Sequence, residues 1–166
     1  MSNALDPIYV TAFIAATQNV FQTMLRQEVS FGKPIPGRLP NLESDISGII
    51  GMTGDVVGTV VLSLPTDSAV KIVESFVGSA LDPKSEDFAD AIGELVNMIS
   101  GNAKAKFEGL DVRISCPSVV IGKGHSVQQP SDAVSMSIPC SSSCGGFSVD
   151  VCIKKVAQQA SEPAAA

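Results

Sequence analysis

Two runs rich in Ile and Val, Ser44 to Met52 and Val56 to Leu64, are separated only by Thr53-Gly54-Asp55. So short a link cannot carry the crossover that parallel neighbours need, so the runs pair antiparallel, with Gly54 able to take the positive φ of a tight turn. That pair sets the middle of the fold: the rest of the chain must extend an antiparallel sheet or pack on one.

Upstream, Asp6-Pro7 reads as an N-cap and first helical position. Phe13, Ile14, Val20, Phe21, Met24 and Leu25 recur at mostly helical spacings, which predicts a helix from Ile8 to about Glu28. Three prolines and two glycines between Gly32 and Pro40 exclude helix and central strand, leaving an extended connection. Downstream, Pro65-Thr66-Asp67 opens a short helix through Ala69, Ile72, Val73 and Phe76, stopped by Gly78. Asp82-Pro83 and Ser85-Glu86-Asp87 open a longer one, predicted to run to about Glu108 with Gly109 as its left-handed cap. Three β-branched segments follow, Val112 to Ile121, Ala133 to Pro139 and Phe147 to Lys155, separated by Gly122-Lys123-Gly124-His125 and by a flexible turn from Ser141 to Gly146.

Helix, two strands, short helix, long helix, three strands is an α+β order: a mainly antiparallel sheet with two long helices and one short helix packed on it. A doubly wound parallel sheet would alternate strand and helix, and no Gly-x-Gly-x-x-Gly opens any helix, so nucleotide binding has no support.

With 166 residues, 45% hydrophobic and 17% charged, the chain is apolar enough to build one core and too weakly charged for a disordered protein. The domain is predicted over residues 6–155. Residues 1–5 read as a disordered start or a cloning remnant, and 156–166, ending AQQASEPAAA, as a disordered tail. A net charge of −6 repels phosphate backbones and anionic bilayers, which argues against nucleic acid and membrane partners. No apolar run reaches the ~18 residues of a span. The start MSNALDPIYV lacks a basic n-region and carries Asp6 and Pro7, so the chain reads as cytoplasmic, where Cys116, Cys140, Cys144 and Cys152 would stay reduced.

At ~100° per residue the long helix gathers Phe88, Ile92, Leu95, Val96, Ile99, Ala103, Phe107 and Leu110 on one apolar face, and Asp90, Glu94, Asn97 and Gly101 on the other. Read alone, that polar stripe is what any amphipathic helix shows to water. Its residue types are less ordinary: Asn97 sits in mid-helix although Asn prefers caps and turns, and Gly93 and Gly101 lower helix propensity by roughly 1 kcal/mol each. Small residues beside a polar pair leave room for an approaching molecule.

Asp90-Ala91-Ile92-Gly93-Glu94-Leu95-Val96-Asn97, with Pro117 following, resembles the Asp/Ser-x-x-x-Glu-x-x-Asn…Pro signature of the CheC/CheX/FliY phosphatases of bacterial chemotaxis, CheX in particular. The resemblance runs from about Tyr9 to Lys155, through Asn19-Val20-Phe21, the strand Gly58 to Ser63 and the closing strands. Nineteen residues separate Asn97 from Pro117, fewer than the signature usually has, a departure that bears on Pro117 and leaves the helix pair untouched. The family also carries an internal duplication. Its second copy would fall on the first helix, where Asn19 is present but Ala16 replaces the acid, so one active site per chain is expected.

The resemblance implies a CheC-like fold and a protein substrate, the phosphorylated receiver CheY, whose aspartyl phosphate holds Mg²⁺ at its own site; no cofactor of the chain's own is implied. Asn97 would orient the hydrolytic water. Its amide both accepts and donates, without adding negative charge beside the phosphoryl group. Glu94 would ion-pair with the receiver's active-site lysine, as a positioning residue and not a general base. Asp90 and Gly101 are candidate partner contacts on the same face. The resemblance further implies a homodimer joined through its sheets. The alternative is a non-catalytic module that binds the receiver or a scaffold of the chemotaxis and flagellar switch machinery.

Other groups read as bland. His125, the one histidine, has no cluster to join and reads as surface. Cys140, Cys144 and Cys152 lack the spacing of paired metal ligands and read as small buried strand residues, so no metal site is expected. Ser141 to Ser143 form no Gly-x-Ser-x-Gly elbow.

Overall fold

The computed structural model describes residues 5–37, 44–129 and 132–157. Of the start read as a cloning remnant or disordered (1–5), residues 1–4 lie outside the described residues, as do residues 158–166 of the predicted tail and part of the proline-rich connection. Leu5 is described and is buried in the core, against that reading.

Helix α1, Pro7–Val20, starts where Asp6 accepts the Ile8 amide at 3.0 Å. It passes into a π-helical turn, Phe21–Leu25, that ends at a left-handed Arg26 (φ 55°), so the helical run stops short of Glu28. Within it, the Thr17 and Thr23 hydroxyls bond back to the Phe13 and Asn19 carbonyls. Such bonding loosens a helix. The widened turn holds Phe21 stacked on Phe147 at 5.0 Å.

Two-residue strands β1 (Ser30–Phe31) and β2 (Ile35–Pro36) pair only with β7 (Ser135–Ser142), so the proline-rich connection supplies sheet edge and no central strand. The hairpin is β3 (Ile46–Gly54) and β4 (Val56–Leu64), in the register Ile46↔Leu64 to Met52↔Gly58. Helix α2, Thr66–Val77, ends on Gly78 at φ 88°. Helix α3 spans Glu86–Lys104, with the Ser85 hydroxyl accepting the Phe88 amide. It stops at Lys104 rather than near Glu108 because Phe107 has to fold under it, meeting Tyr9 edge-on at 5.0 Å and Phe13 at 6.3 Å.

The strand predicted over Val112 to Ile121 is two strands, β5 (Val112–Ile114) and β6 (Ser118–Ile121), both paired with β3. The last hairpin, β7 with β8 (Gly145–Lys155), is tighter than predicted. Ser141 and Ser142 pair with Gly146 and Gly145, so the expected loop shrinks to Ser143-Cys144. All pairs are antiparallel, in the order β1-β7-β8-β4-β3-β5. The three helices with this sheet are the α+β architecture the sequence predicts, and α3 lies against β3 and β5–β6.

The main core lies between helices and sheet: Phe13, Phe88, Ile92 and Leu95 meet Ile50, Leu62, Val149 and Val151. Gly48 of β3 brings α3 close, since a Cβ there would stand 3.1 Å from Val96 and 3.2 Å from Ile92. Burying these side chains, at about 25 cal/mol per Å² of apolar surface, is the main force holding α3 on the sheet.

The opposite face of the sheet is polar yet covered. Ser47, Ser63, Ser137, Ser148 and Asp150 are all buried. Asp150 accepts the Ser63 hydroxyl at 2.9 Å and that of Ser137 at 2.5 Å, beside a cavity of about 30 Å³ that Gln129 also lines. His125 belongs here, not to the open surface. Its Nδ1 lies 2.6 Å from the Gly122 carbonyl, which can only accept, so in the neutral ring Nε2 accepts the Ser47 hydroxyl at 2.7 Å. The segment after β6 is thereby pinned onto β3.

Candidate active site on the long helix

Helix α3 is stable where it carries the candidate residues. Ser85 caps it, Glu86 and Asp87 oppose the positive end of its dipole, and Lys104 closes the other end by donating to the Val112 carbonyl at 3.0 Å. Its apolar face is buried on the sheet, which fixes its rotation. Side chains on the outer face therefore start from a rigid base.

Asp90 and Glu94 are exposed, one turn apart, while Asn97 and Gly101 are half-buried further along. The sequence expected all four in an exposed row; the order is right, but the row sinks toward its C-terminal half. Among the described residues, neither Glu94 nor Asn97 has a hydrogen-bond or ion-pair partner for its side chain. Gly101 faces open space, with nothing within 4 Å of where a Cβ would be.

A groove of about 500 Å³ runs along the N-terminal half of this face, lined by Ala89, Asp90, Gly93, Glu94, Pro117 and Val119. Its second wall comes from the break between β5 and β6. Ile50 and Gly51 of β3 face three residues, Ser115, Cys116 and Pro117, which makes a β-bulge. Ser115 holds it in place: its amide donates to the Gly51 carbonyl and its hydroxyl accepts the Gly51 amide, each at 2.9 Å.

The extra residue flips the alternation of the strand. Val112 and Ile114 point toward the helices before the bulge, Pro117 and Val119 after it. Pro117 thus stands against α3 beside Glu94, and the short Asn97-to-Pro117 spacing does not remove it from the site. The sequence held a signal for this wall: a proline inside a β-branched run cannot donate to the ladder and marks a bulge.

The first-helix copy is spent on packing. Ala16 is fully buried, and the Asn19 side-chain amide donates to Asn102 Oδ1 at 2.8 Å, while Asn102 donates to the Met98 carbonyl at 2.9 Å. Among the described residues no group of three or more His, Cys, Asp or Glu side chains is placed to hold a metal ion. No helix among them is long and apolar enough to cross a membrane.

The model of the family described as "Chemotaxis phosphatase CheX" matches residues 46–141, which include the whole of α3 and the bulge. A protein of Thermotoga maritima named CheY-P phosphatase CheX is 30% identical over 122 residues, covering 72% of this chain and 79% of its own. Among solved structures, the chemotaxis protein CheX of Vibrio vulnificus is 30% identical with a TM-score of 0.80, over 88% of this chain and 99% of its own. The fold is also that of CheX from Borrelia burgdorferi, solved as a CheX-CheY-BeF3-Mg²⁺ complex. That protein is 20% identical, with a TM-score of 0.74 over 89% of this chain and 98% of its own. With its long helix, bulged strand pair and antiparallel sheet, the chain belongs to the CheX family of chemotaxis phosphatases.

Proposed function

We propose that the protein dephosphorylates the aspartyl phosphate of a CheY-type receiver. The observation that carries this reading is the pair Glu94 and Asn97, one turn apart on the outer face of α3 and each without a side-chain partner, with Glu94 lining an open groove. The Thermotoga maritima relative, a CheY-P phosphatase by name, supports it.

In the proposed reaction the oxygen of a water attacks phosphorus in line with the receiver's aspartyl oxygen. The P–O bond to that oxygen breaks, the carboxylate is regenerated, and inorganic phosphate leaves carrying the water's oxygen and both of its protons. Positioning and electrostatics dominate such transfers. Asn97 accepts a proton of the attacking water in a hydrogen bond and so holds it in line; a carboxylate there would add repulsion. Glu94 pairs with the receiver's active-site lysine and docks it. Mg²⁺ belongs to the receiver, consistent with the Borrelia burgdorferi complex.

The face around Glu94 suits a basic partner. Glu86, Asp87, Asp90 and Glu94 follow one another on α3 with no Lys or Arg before Lys104. Asp90 adds to that charge, and Gly101 leaves the next turn open for a receiver loop. The reading places the reaction in the cytoplasm, where phosphorylated receivers work. It also includes a homodimer joined at the β6 edge, where Val120 and Ile121 are 38% and 43% exposed. A sedimenting mass equal to the single 17.1 kDa chain would contradict that dimer.

Two variants separate the roles. Asn97→Ala should lose turnover and still bind the phosphorylated receiver, whereas Glu94→Gln should weaken binding and rate together. Full binding and full rate in Glu94→Gln would remove Glu94 from the site.

A further inference from the structure

We infer that Gly93 is a positioning residue of this site: its missing side chain lets Pro117 seat against α3, which sets the width of the groove that receives the partner. The inference rests on the receiver-phosphatase reading and deepens it, because neither Gly93 nor the bulge is needed for the roles given to Glu94 and Asn97.

Three observations converge. Gly93 lies in mid-helix and is buried, on the side of α3 that faces β6. A Cβ there would stand 3.1 Å from Pro117 Cγ, 3.4 Å from Pro117 Cβ and 3.6 Å from Val119 Cγ2. Pro117 itself is exposed on its outer side, so one surface of its ring touches α3 and another faces the groove beside Glu94.

The strand cannot easily give way. Ser115 ties the bulge to both backbone groups of Gly51, and β6 continues in register from Ile49↔Ser118 to Ile46↔Ile121. The proline ring is stiff as well. An added methyl group would therefore push the Pro117 wall outward by a few tenths of an ångström, or tilt α3, and either change moves the wall relative to Glu94. Glycine in a helix interior is otherwise a cost, which alanine would relieve. A fold-only role would make the substitution harmless or would unfold the chain. A positioning role makes it harmful to docking while the chain stays folded.

The test uses the full chain as wild type, Gly93→Ala, Pro117→Ala and the double variant. Binding is measured to a CheY-type receiver carrying BeF3 and Mg²⁺, with phosphate loss from the phosphorylated receiver and the thermal midpoint followed in parallel. Gly93→Ala should raise the dissociation constant about tenfold, change the saturated rate less, and leave the midpoint no lower than wild type. Pro117→Ala removes the closest atom, so adding Gly93→Ala to it should change binding by less than about twofold.

Wild-type binding by Gly93→Ala overturns the proposal, as does a loss that simply adds to that of Pro117→Ala. A lowered midpoint with unchanged affinity overturns it too. A wild type that binds but does not hydrolyse defeats the phosphatase reading alone, since the binding comparison still decides Gly93. A wild type that neither binds nor hydrolyses defeats both.

Discussion

The side-chain amide of Asn19 on α1 donates to Asn102 Oδ1 on α3 at 2.8 Å, and Asn102 passes a second bond back to its own helix at the Met98 carbonyl. The asparagine that aligns with a second catalytic copy is therefore committed to holding two helices together. Its neighbour Ala16 is fully buried and could present nothing to a partner. Asn19→Ala should lower unfolding free energy by about 0.5–1 kcal/mol in urea titration, the scale of one exposed polar bond, and leave phosphatase turnover at the wild-type rate. A large loss of turnover in a folded Asn19→Ala chain would mean that the first helix works in the reaction.

The buried polar side of the sheet carries its own prediction. Asp150 supplies the acceptors for Ser63 and Ser137, and all three side chains are buried. Asp150→Ala leaves both hydroxyls without that acceptor and should cost about 2–4 kcal/mol, read from denaturant unfolding. Removing a buried charge works in the opposite direction. An unchanged midpoint would show that relief of the charge cancels the lost bonds.

Thiol chemistry separates the cysteines. Cys116 is exposed on the bulge, while Cys140, Cys144 and Cys152 are buried. Burial pushes the Cys140 thiol up to about 12, and burial, then the charge of Asp132, raises that of Cys152. A thiol reagent under native conditions should modify Cys116 alone, and the others only after unfolding. The sign for stability follows. The fold holds the Cys140 and Cys152 protons more tightly than the unfolded chain does, so stability is full below the ordinary thiol range and declines as pH rises above roughly 8–9. Rapid native labelling of Cys140 would contradict the packing.

Much of this fold was legible because its signals are local. Ser85 as a cap and Gly78 as a stop each act within a few residues and appear where the sequence places them. The short link read at Thr53-Gly54-Asp55 shrinks to Asp55, because Thr53 and Gly54 extend β3 to pair with Arg113 and Val112. What was missed depends on contacts across the fold. Helix α3 ends early because Phe107 has to reach Tyr9 and Phe13, which periodicity within α3 cannot reveal. His125 looked like surface because Ser47, which fixes it, lies 78 residues away in sequence.

The site divides in the same way. Asp90, Glu94, Asn97 and Gly101 could be ordered along one face from spacing alone. Pro117 was tied to them only by the resemblance and could not be placed against α3 from periodicity, since a one-residue bulge decides which way it points, and a strand read as continuous from Val112 to Ile121 gives the wrong parity beyond Ser115.

The most direct measurement follows phosphate loss from a phosphorylated CheY-type receiver with Mg²⁺, alone, with the wild-type chain, and with Asn97→Ala. The account predicts that only the wild type accelerates the loss, while Asn97→Ala still binds the receiver and leaves it phosphorylated for about as long as when it stands alone. Equal acceleration by both proteins would contradict the central claim that Asn97 on α3 holds the attacking water.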